Sequence, residues 1–350
     1  MTRPFRARPF CAWLGVLALA CAACGGTGEA SRPADGGTFT YVLNADPGNL
    51  DPHQTVLSVT NTFNLLTYDT LVAFDADNEP VSALAEAWQA DASTATFTLR
   101  PDVTCADGTP MTASVVQANF DYIKDEAGGS PLVGTTFPNR DFTTTADDAA
   151  RTVTVTMAQP YGFLLEAVAS VPIVCPAGLA DRGVLARGSA GTGPFVLTDA
   201  VAGDHYTLQR REGYTWGPSG ASSAVAGFPD GVVVRIVDNE ATAANLLITG
   251  EVNAARIEGV DQERLRAQGM FESSTDRVTG QLWFNHKEGH PGSDPAVRRA
   301  LTLALDLAEL RTVLTGGTGA APTGMAVLEP RGCAGDMVAG TLPGKDVAAA

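Results

Sequence analysis

The histidines are the first residues whose type and spacing suggest chemistry, because imidazoles are common metal ligands. His286 and His290 lie four positions apart, which is the spacing that places two ligands on one face of a helix. Gly289 lies between them and Pro291 follows, and both residues disfavour a helix. We therefore expect a surface loop at this position and predict no metal site.

A glycine-rich segment at residues 188–193 (GSAGTG) resembles a phosphate-binding loop. It lacks the Lys-Ser/Thr pair that completes such a loop, and Pro194 prevents a helix from following. We interpret it as a tight connection into a strand that begins at Phe195. The chain also has no G-x-S-x-G nucleophile elbow. The sequence therefore predicts no enzyme and no cofactor.

The aromatic segment at residues 280–285 is more informative. It is predicted to form a strand, in which Trp283 and Asn285 share one face because strand side chains alternate. If this strand borders a cleft, Trp283 packs on a ligand and Asn285 bonds its backbone. The alternative is that Trp283 belongs to the core and Asn285 to a turn at the end of the strand.

Strands and helices that position these residues alternate along the chain, which indicates a mixed α/β fold. The predicted strands lie at residues 38–43, 152–157 and 232–237, with a hairpin at 195–211. The predicted helices lie at 112–123 and 240–248 and from Asp294 to the Gly316-Gly317 pair. The buried stripe of the last helix is predicted to comprise Val297, Ala300, Leu301, Ala304 and Leu305.

Composition and charge limit the class of protein. The 350 residues are 45% hydrophobic, which is enough for a large core. The net charge is −16, and this excess of acidic residues disfavours a nucleic-acid partner. Arg3, Arg6 and Arg8 precede an uncharged stretch at residues 11–23, and the chain from Cys24 onward carries a net charge of −19. A basic head and a short apolar run are typical of a secretory signal.

The end of the predicted signal resembles a bacterial lipobox. Cys24 follows Ala22-Ala23 and precedes a glycine pair, so we expect Cys24 to be lipidated. Cys21 remains an alternative because it follows a better aliphatic run, and an ordinary cleaved signal is a further one. Residues 1–23 are then the signal and residues 24–37 are a flexible tether.

Three cysteines follow the tether, at Cys105, Cys175 and Cys333. An exported protein lies in an oxidising compartment, where disulfides persist. We expect a disulfide between Cys105 and Cys175, which leaves Cys333 unpaired or matched to something absent from this chain.

Several motifs, in order, give the chain a family resemblance. They are NADPGNLDP at 44–52, YDTLV at 68–72, LAEAW at 84–88, FTLRP at 97–101, DGTPMTA at 107–113, GTGPF at 191–195, GEVN at 250–253 and residues 294–306. Together they span about residues 38–330. In this arrangement the chain resembles the family 5 extracellular solute-binding proteins, the peptide- and nickel-binding class of ABC importers.

This resemblance implies an α/β bilobal clamp like that of periplasmic binding proteins (type II, family 5 variant). Lobe I would comprise residues 38–78 and 190–276, with an inserted subdomain at 79–189. Lobe II would begin at 277 and run to 350. Members of the family are usually longer, so we expect the second lobe to be incomplete and the chain to be truncated at its C-terminus.

The resemblance also implies a function. The protein would capture oligopeptides or dipeptides between its lobes, with ligand contacts from Asn44, Asp46, Trp283 and Asn285. It would deliver them to membrane permease subunits as a monomer anchored by lipid to the outer face of the cytoplasmic membrane, in the periplasmic space. Nickel, a glycan or a signalling peptide are alternative ligands, and a secreted hydrolase is a less favoured alternative function.

Overall fold

The computed structural model describes residues 36–185, 188–274, 280–324, 335, 338 and 340–350. The predicted signal, Cys21, Cys24 and Cys333 lie outside the described residues.

The elements alternate along the chain as the sequence predicts. The strands are β1 (Thr38–Leu43), β2 (Val72–Phe74), β3 (Pro80–Ser82), β4 (Ala85–Ala90), β5 (Thr94–Leu99), β6 (Phe142–Asp147), β7 (Thr152–Met157), β8 (Phe195–Val201), β9 (His205–Arg210), β10 (Gly231–Ile236) and β11 (Ala254–Ala255). The helices are α1 (Ser58–Asn64), α2 (Ala113–Lys124), α3 (Leu164–Ala169), α4 (Pro176–Ala180), α5 (Glu240–Thr249), α6 (Asp261–Arg266), α7 (Pro295–Ala304) and α8 (Leu307–Leu314).

A five-stranded sheet combines strands from both sequence segments of the predicted lobe I, residues 38–78 and 190–276. Its order is β11-β1-β10-β9-β8. Strand β1 runs parallel to β10 and β11, whereas β9 is antiparallel to both β10 and β8. One face of this sheet is covered by a core that includes Leu50, Phe63 and Val234. The hairpin predicted at 195–211 is confirmed as β8 and β9.

A four-stranded antiparallel sheet forms from residues 85–157, in the order β4-β5-β7-β6. Strands β5 and β7 alternate buried and less buried residues, as the strictly alternating sequence at 152–157 predicts. Helix α2 packs on this sheet through Val116 and Phe120. Its start is set by Thr112, whose side chain accepts a hydrogen bond from the Val115 N–H.

The glycine-rich segment is a tight connection, as predicted. Gly193 donates its N–H to the Thr67 carbonyl at 3.1 Å. A Cβ atom added at Gly191 would lie 2.1 Å from the Thr67 carbonyl oxygen, and one added at Gly193 would lie 2.5 Å from the Thr67 carbonyl carbon. Only residues without a side chain allow the two backbones to approach this closely.

The domain boundaries stay a prediction. Strands β2 and β3 pair with each other, so backbone pairing crosses the predicted boundary between residues 78 and 79.

The strand predicted at 280–285 is wrong. These residues lie in an irregular segment, and none of the described strands pairs with it. A strand needs a neighbour to satisfy its backbone groups, and local alternation does not supply one.

The helix predicted from Asp294 to the Gly316-Gly317 pair begins as expected, but α7 ends at Ala304. The Asp294 side chain accepts from the Ala296 N–H, and Pro295 occupies the first turn. The backbone becomes extended at Leu305, and Asp306 then caps a second helix. The predicted buried stripe is also wrong: Leu301 is half exposed, whereas Leu303 is buried. At the end of α7, Asp346 donates its N–H to the Leu303 carbonyl at 2.8 Å.

Candidate ligand-binding site

The carboxyl ends of the parallel strands β1, β10 and β11 meet at one edge of the five-stranded sheet. In open α/β sheets, ligands bind outside this edge. The segments that leave it are residues 44–57, 237–239 and 256–260, which we call the edge loops.

The first edge loop carries exposed residues at both ends. Asn44 is exposed directly after β1. Val56 and Leu57 are 48% and 58% exposed directly before α1. A loop that exposes both aliphatic side chains and a polar amide suits a ligand that offers apolar groups and a peptide-like backbone.

Asp46 lies in the same loop, but its carboxylate is used within the protein. Its Oδ1 atom accepts from the Gly48 N–H at 2.7 Å, and its Oδ2 atom accepts from the Gly203 N–H at 2.5 Å. The Tyr206 hydroxyl donates at 3.0 Å to both oxygens. Burial by itself raises the pKa of Asp46, but these hydrogen bonds outweigh it and hold the pKa below its usual value.

The middle of the loop is fixed by a partly buried ion pair. Asp51 accepts two hydrogen bonds from the Arg182 guanidinium, one of them from Nε at 2.9 Å. Arg182 also lies over the Tyr122 ring, with its Cζ atom 3.9 Å from the ring centroid. Gln54 donates its amide to the Tyr122 hydroxyl at 2.7 Å and to the Gly128 carbonyl at 2.8 Å. The loop is therefore attached to the region of α2.

His53 is fully buried in this junction. Its Nε2 atom lies 2.9 Å from the Pro172 carbonyl oxygen, so this nitrogen must be the donor. Burial and the nearby Arg182 charge lower the pKa of His53 to about 4. The ring is therefore neutral near pH 7 and serves as a structural donor.

A second buried carboxylate fixes the glycine-rich connection. Asp69 accepts from the Tyr214 hydroxyl at 2.8 Å, the Thr192 hydroxyl at 2.9 Å and the Trp216 indole N–H at 3.1 Å. Burial raises the pKa of Asp69 even though these donors oppose the shift. Arg211 donates to the carbonyls of Thr192, Thr104 and Cys105. Residues 191–193 are thereby bonded to the connecting segments at 67–69, 104–106 and 211–216.

The other edge loops are tied by short local contacts. Asn239 caps α5 by accepting from the Thr242 N–H at 2.9 Å. Glu240 accepts from the Gly259 N–H at 2.5 Å. Arg256 and Glu258 form an ion pair at the rim. These contacts place one basic and one acidic group at the edge where a ligand would enter.

Trp283 and Asn285 lie in a separate segment from the edge loops. Trp283 is 83% exposed, so it is not a core residue. The Asn285 side chain accepts from the Lys287 N–H at 3.0 Å. The structure thus places Asn44 and Asp46 in one loop, and it gives Trp283 and Asn285 no strand that would align them.

Sequence reasoning missed the residues that anchor the first edge loop. Asp51 lies in the NADPGNLDP motif and His53 and Gln54 directly follow it, but the partners Tyr122 and Arg182 lie 68 and 131 positions from Gln54 and Asp51. No local pattern in the sequence connects these residues to partners so far away.

The described residues contain no group of three or more His, Cys, Asp or Glu side chains arranged for a metal ion. His286 and His290 are exposed loop residues. Within the same part of the chain, no helix combines the length and apolar character needed to cross a membrane.

Known proteins with the same fold are solute-binding proteins. The family model "Bacterial extracellular solute-binding proteins, family 5 Middle" matches residues 79–332.

 The probable D,D-dipeptide-binding periplasmic protein DdpA of Escherichia coli K12 is 29% identical over 79% of this chain and 54% of its own length. The chain spans about half the length of the curated relatives it matches.

Several solved structures share the fold. A substrate-binding protein from Microbacterium hydrocarbonoxydans, complexed with 4-hydroxybenzoate hydrazide, is 31% identical, with a TM-score of 0.72 over 89% of this chain and 65% of that one. DppA from Helicobacter pylori, in complex with the peptide STSA, is 23% identical, with a TM-score of 0.69 over 85% of this chain and 62% of that one. The predicted fold class, that of the family 5 periplasmic binding proteins, is confirmed. The chain belongs to family 5 of the bacterial extracellular solute-binding proteins.

Proposed function

We propose that this protein captures peptides outside the cytoplasm and delivers them to the permease of an ABC importer. The observation that carries the proposal is the edge of the five-stranded sheet, where the parallel strands end and the loop at 44–57 exposes Asn44, Val56 and Leu57. The family match supports the same role.

The edge loops would form one wall of the site. Asn44 supplies an amide for a ligand backbone, while Val56 and Leu57 pack against apolar side chains. We propose that Trp283 and Asn285 contact the ligand from the segment that begins lobe II. A ligand that touches both walls favours the closed arrangement by its differential affinity for it.

The proposed domain layout is the one that the family resemblance implies. Lobe I comprises residues 38–78 and 190–276, the inserted subdomain comprises 79–189, and lobe II begins at 277. We propose a monomer attached to the outer face of the cytoplasmic membrane by lipid on Cys24, with Cys21 as the alternative. Mass spectrometry of the mature N-terminus in Cys24→Ser and Cys21→Ser variants tests the anchor, because only loss of the modified cysteine abolishes the lipid adduct.

A small aromatic hydrazide is a second candidate ligand. The Microbacterium protein that was solved with 4-hydroxybenzoate hydrazide shares 31% identity with this chain. Exposed Trp283 offers a ring on which such a ligand would stack.

Calorimetric titration of the purified protein tests the proposal. The probes are the peptide STSA, D-alanyl-D-alanine, 4-hydroxybenzoate hydrazide and Ni²⁺ with histidine, and native mass spectrometry identifies any ligand that co-purifies. Binding of a peptide that is recovered intact supports the proposal. Binding of the hydrazide or nickel alone contradicts the peptide assignment, and recovery of cleaved peptide contradicts a receptor and favours a hydrolase.

A further inference from the structure

Asp46 joins two parts of the candidate site that are distant in sequence. Besides the Gly48 N–H in its own turn, its carboxylate accepts from Gly203 and Tyr206, which lie 157 and 160 positions away. Both of these donors belong to the β8–β9 hairpin. A carboxylate that accepts from three donors has little remaining capacity for a ligand.

The tip of this hairpin lies at the same sheet edge as the edge loops. His205, the first residue of β9, is paired with Arg235 near the end of β10. Ile236 donates its N–H to the Asp204 carbonyl at 2.8 Å. Gly203 has a positive φ of 76°, which lets its N–H point at Asp46 without side-chain strain.

The ionisation states at this junction match the hydrogen bonds. The pKa of Asp46 is held below its usual value, so the group is a carboxylate near pH 7. Burial and the adjacent Asp46 charge raise the pKa of Tyr206, so its hydroxyl stays protonated and donates. The hairpin keeps its own shape through His205, whose ring nitrogens lie 2.8 Å from Asp204 and 3.1 Å from Asp199.

We propose that Asp46 is a positioning residue of the ligand site, which fixes the first edge loop against the β8–β9 hairpin tip rather than touching ligand. The inference rests on the proposed function. Its consequence is that the wall formed by Asn44, Val56 and Leu57 is ordered before ligand arrives, which reduces the entropy lost on binding.

The test compares Asp46→Asn with Tyr206→Phe in the full chain. Hydrogen exchange of residues 44–50 and 201–206 is measured without ligand, and affinity is measured with the peptide STSA and D-alanyl-D-alanine. We expect Asp46→Asn to accelerate exchange in both segments and weaken binding about tenfold, because an amide nitrogen repels one of the backbone donors. Tyr206→Phe removes one donor and is expected to weaken binding about two- to threefold.

Asp102→Asn is the matched control, since Asp102 is an exposed carboxylate bonded to Arg100 away from the sheet edge. It is expected to leave affinity and exchange at the hairpin unchanged. Unchanged affinity in Asp46→Asn despite faster exchange overturns the positioning role. Lost affinity with unchanged exchange also overturns it, because Asp46 then touches ligand directly.

Two further outcomes keep the test decisive. If Asp46→Asn does not fold by circular dichroism, Tyr206→Phe decides, and wild-type affinity in that variant overturns the proposal. If the wild-type protein binds neither peptide, the proposed peptide function fails and the positioning role fails with it. Either of the two Asp46→Asn results that overturn the positioning role leaves the peptide function intact.

Discussion

Removing the disulfide between Cys105 and Cys175 is expected to lower the free energy of unfolding by about 4 kcal/mol. The bond joins residues separated by 70 positions. The chain-entropy relation gives a loss of about 15 cal/mol/K in the unfolded state for a loop of this length, which is about 4 kcal/mol at 25 °C. This is a large share of the roughly 5–15 kcal/mol that stabilises a domain.

The folded structure around the disulfide is held by other contacts as well. Ala106 donates its N–H to the Gly191 carbonyl at 3.1 Å, and Cys175 donates to the Ala190 carbonyl at 2.8 Å. Arg211 donates to the Cys105 carbonyl at 2.6 Å. Because these bonds do not need the sulfur atoms, the native fold should persist without the cross-link, and the main effect falls on the unfolded chain.

Urea unfolding of oxidised protein, reduced protein and the Cys105→Ala/Cys175→Ala double variant measures this effect. The reduced protein keeps both buried sulfur atoms, so it separates the cross-link from the loss of packing in the double variant. Equal urea midpoints and slopes for the oxidised and reduced proteins would refute the reasoning. Mass mapping of the non-reduced protein that finds both thiols free would show that the bond does not form.

Three other predictions follow from single residues. Gly193→Ala is expected to lower the free energy of unfolding by at least about 1–3 kcal/mol, because its Cβ would lie 2.5 Å from the Thr67 carbonyl carbon; an unchanged thermal midpoint contradicts this. The pKa of His53 is lowered from 6.5 to about 4 in the folded protein, so between these pH values only the unfolded chain binds the proton. The free energy of unfolding is therefore expected to fall by about 3 kcal/mol as the pH drops from above 6.5 to 4. The same pH dependence in urea titrations of wild type and His53→Asn would exclude this effect. Trp283→Ala is expected to leave stability within about 0.5 kcal/mol, because the side chain is 83% exposed, and to weaken ligand binding; unchanged affinity by calorimetry would remove Trp283 from the site.

Local rules predicted the elements that depend on near neighbours. The alternation at 152–157 and the Thr112 and Asp294 caps involve residues within a few positions of one another, and all three appear as expected. The strand at 280–285 failed because a strand depends on a partner that the local sequence does not name.

The candidate site also contains residues that the sequence predicts and contacts that only the fold determines. The family resemblance predicts Asn44 as a ligand contact, and the structure leaves it exposed directly after β1. The resemblance also predicts Asp46 as a ligand contact, but the environment of its carboxylate depends on Gly203 and Tyr206, which no local pattern connects to it.

The sequence by itself determined the family, the mixed α/β class and the elements whose caps and periodicity are local. Only the tertiary structure decided which polar residues bond to other parts of the protein and thereby stabilise the fold. The Asp51–Arg182 pair joins residues 131 positions apart, and Asp46 reaches a hairpin 157 positions away. Such pairings form because a buried or half-buried charge needs a partner, and the chain's path in space, rather than its local order, determines which partner is within reach.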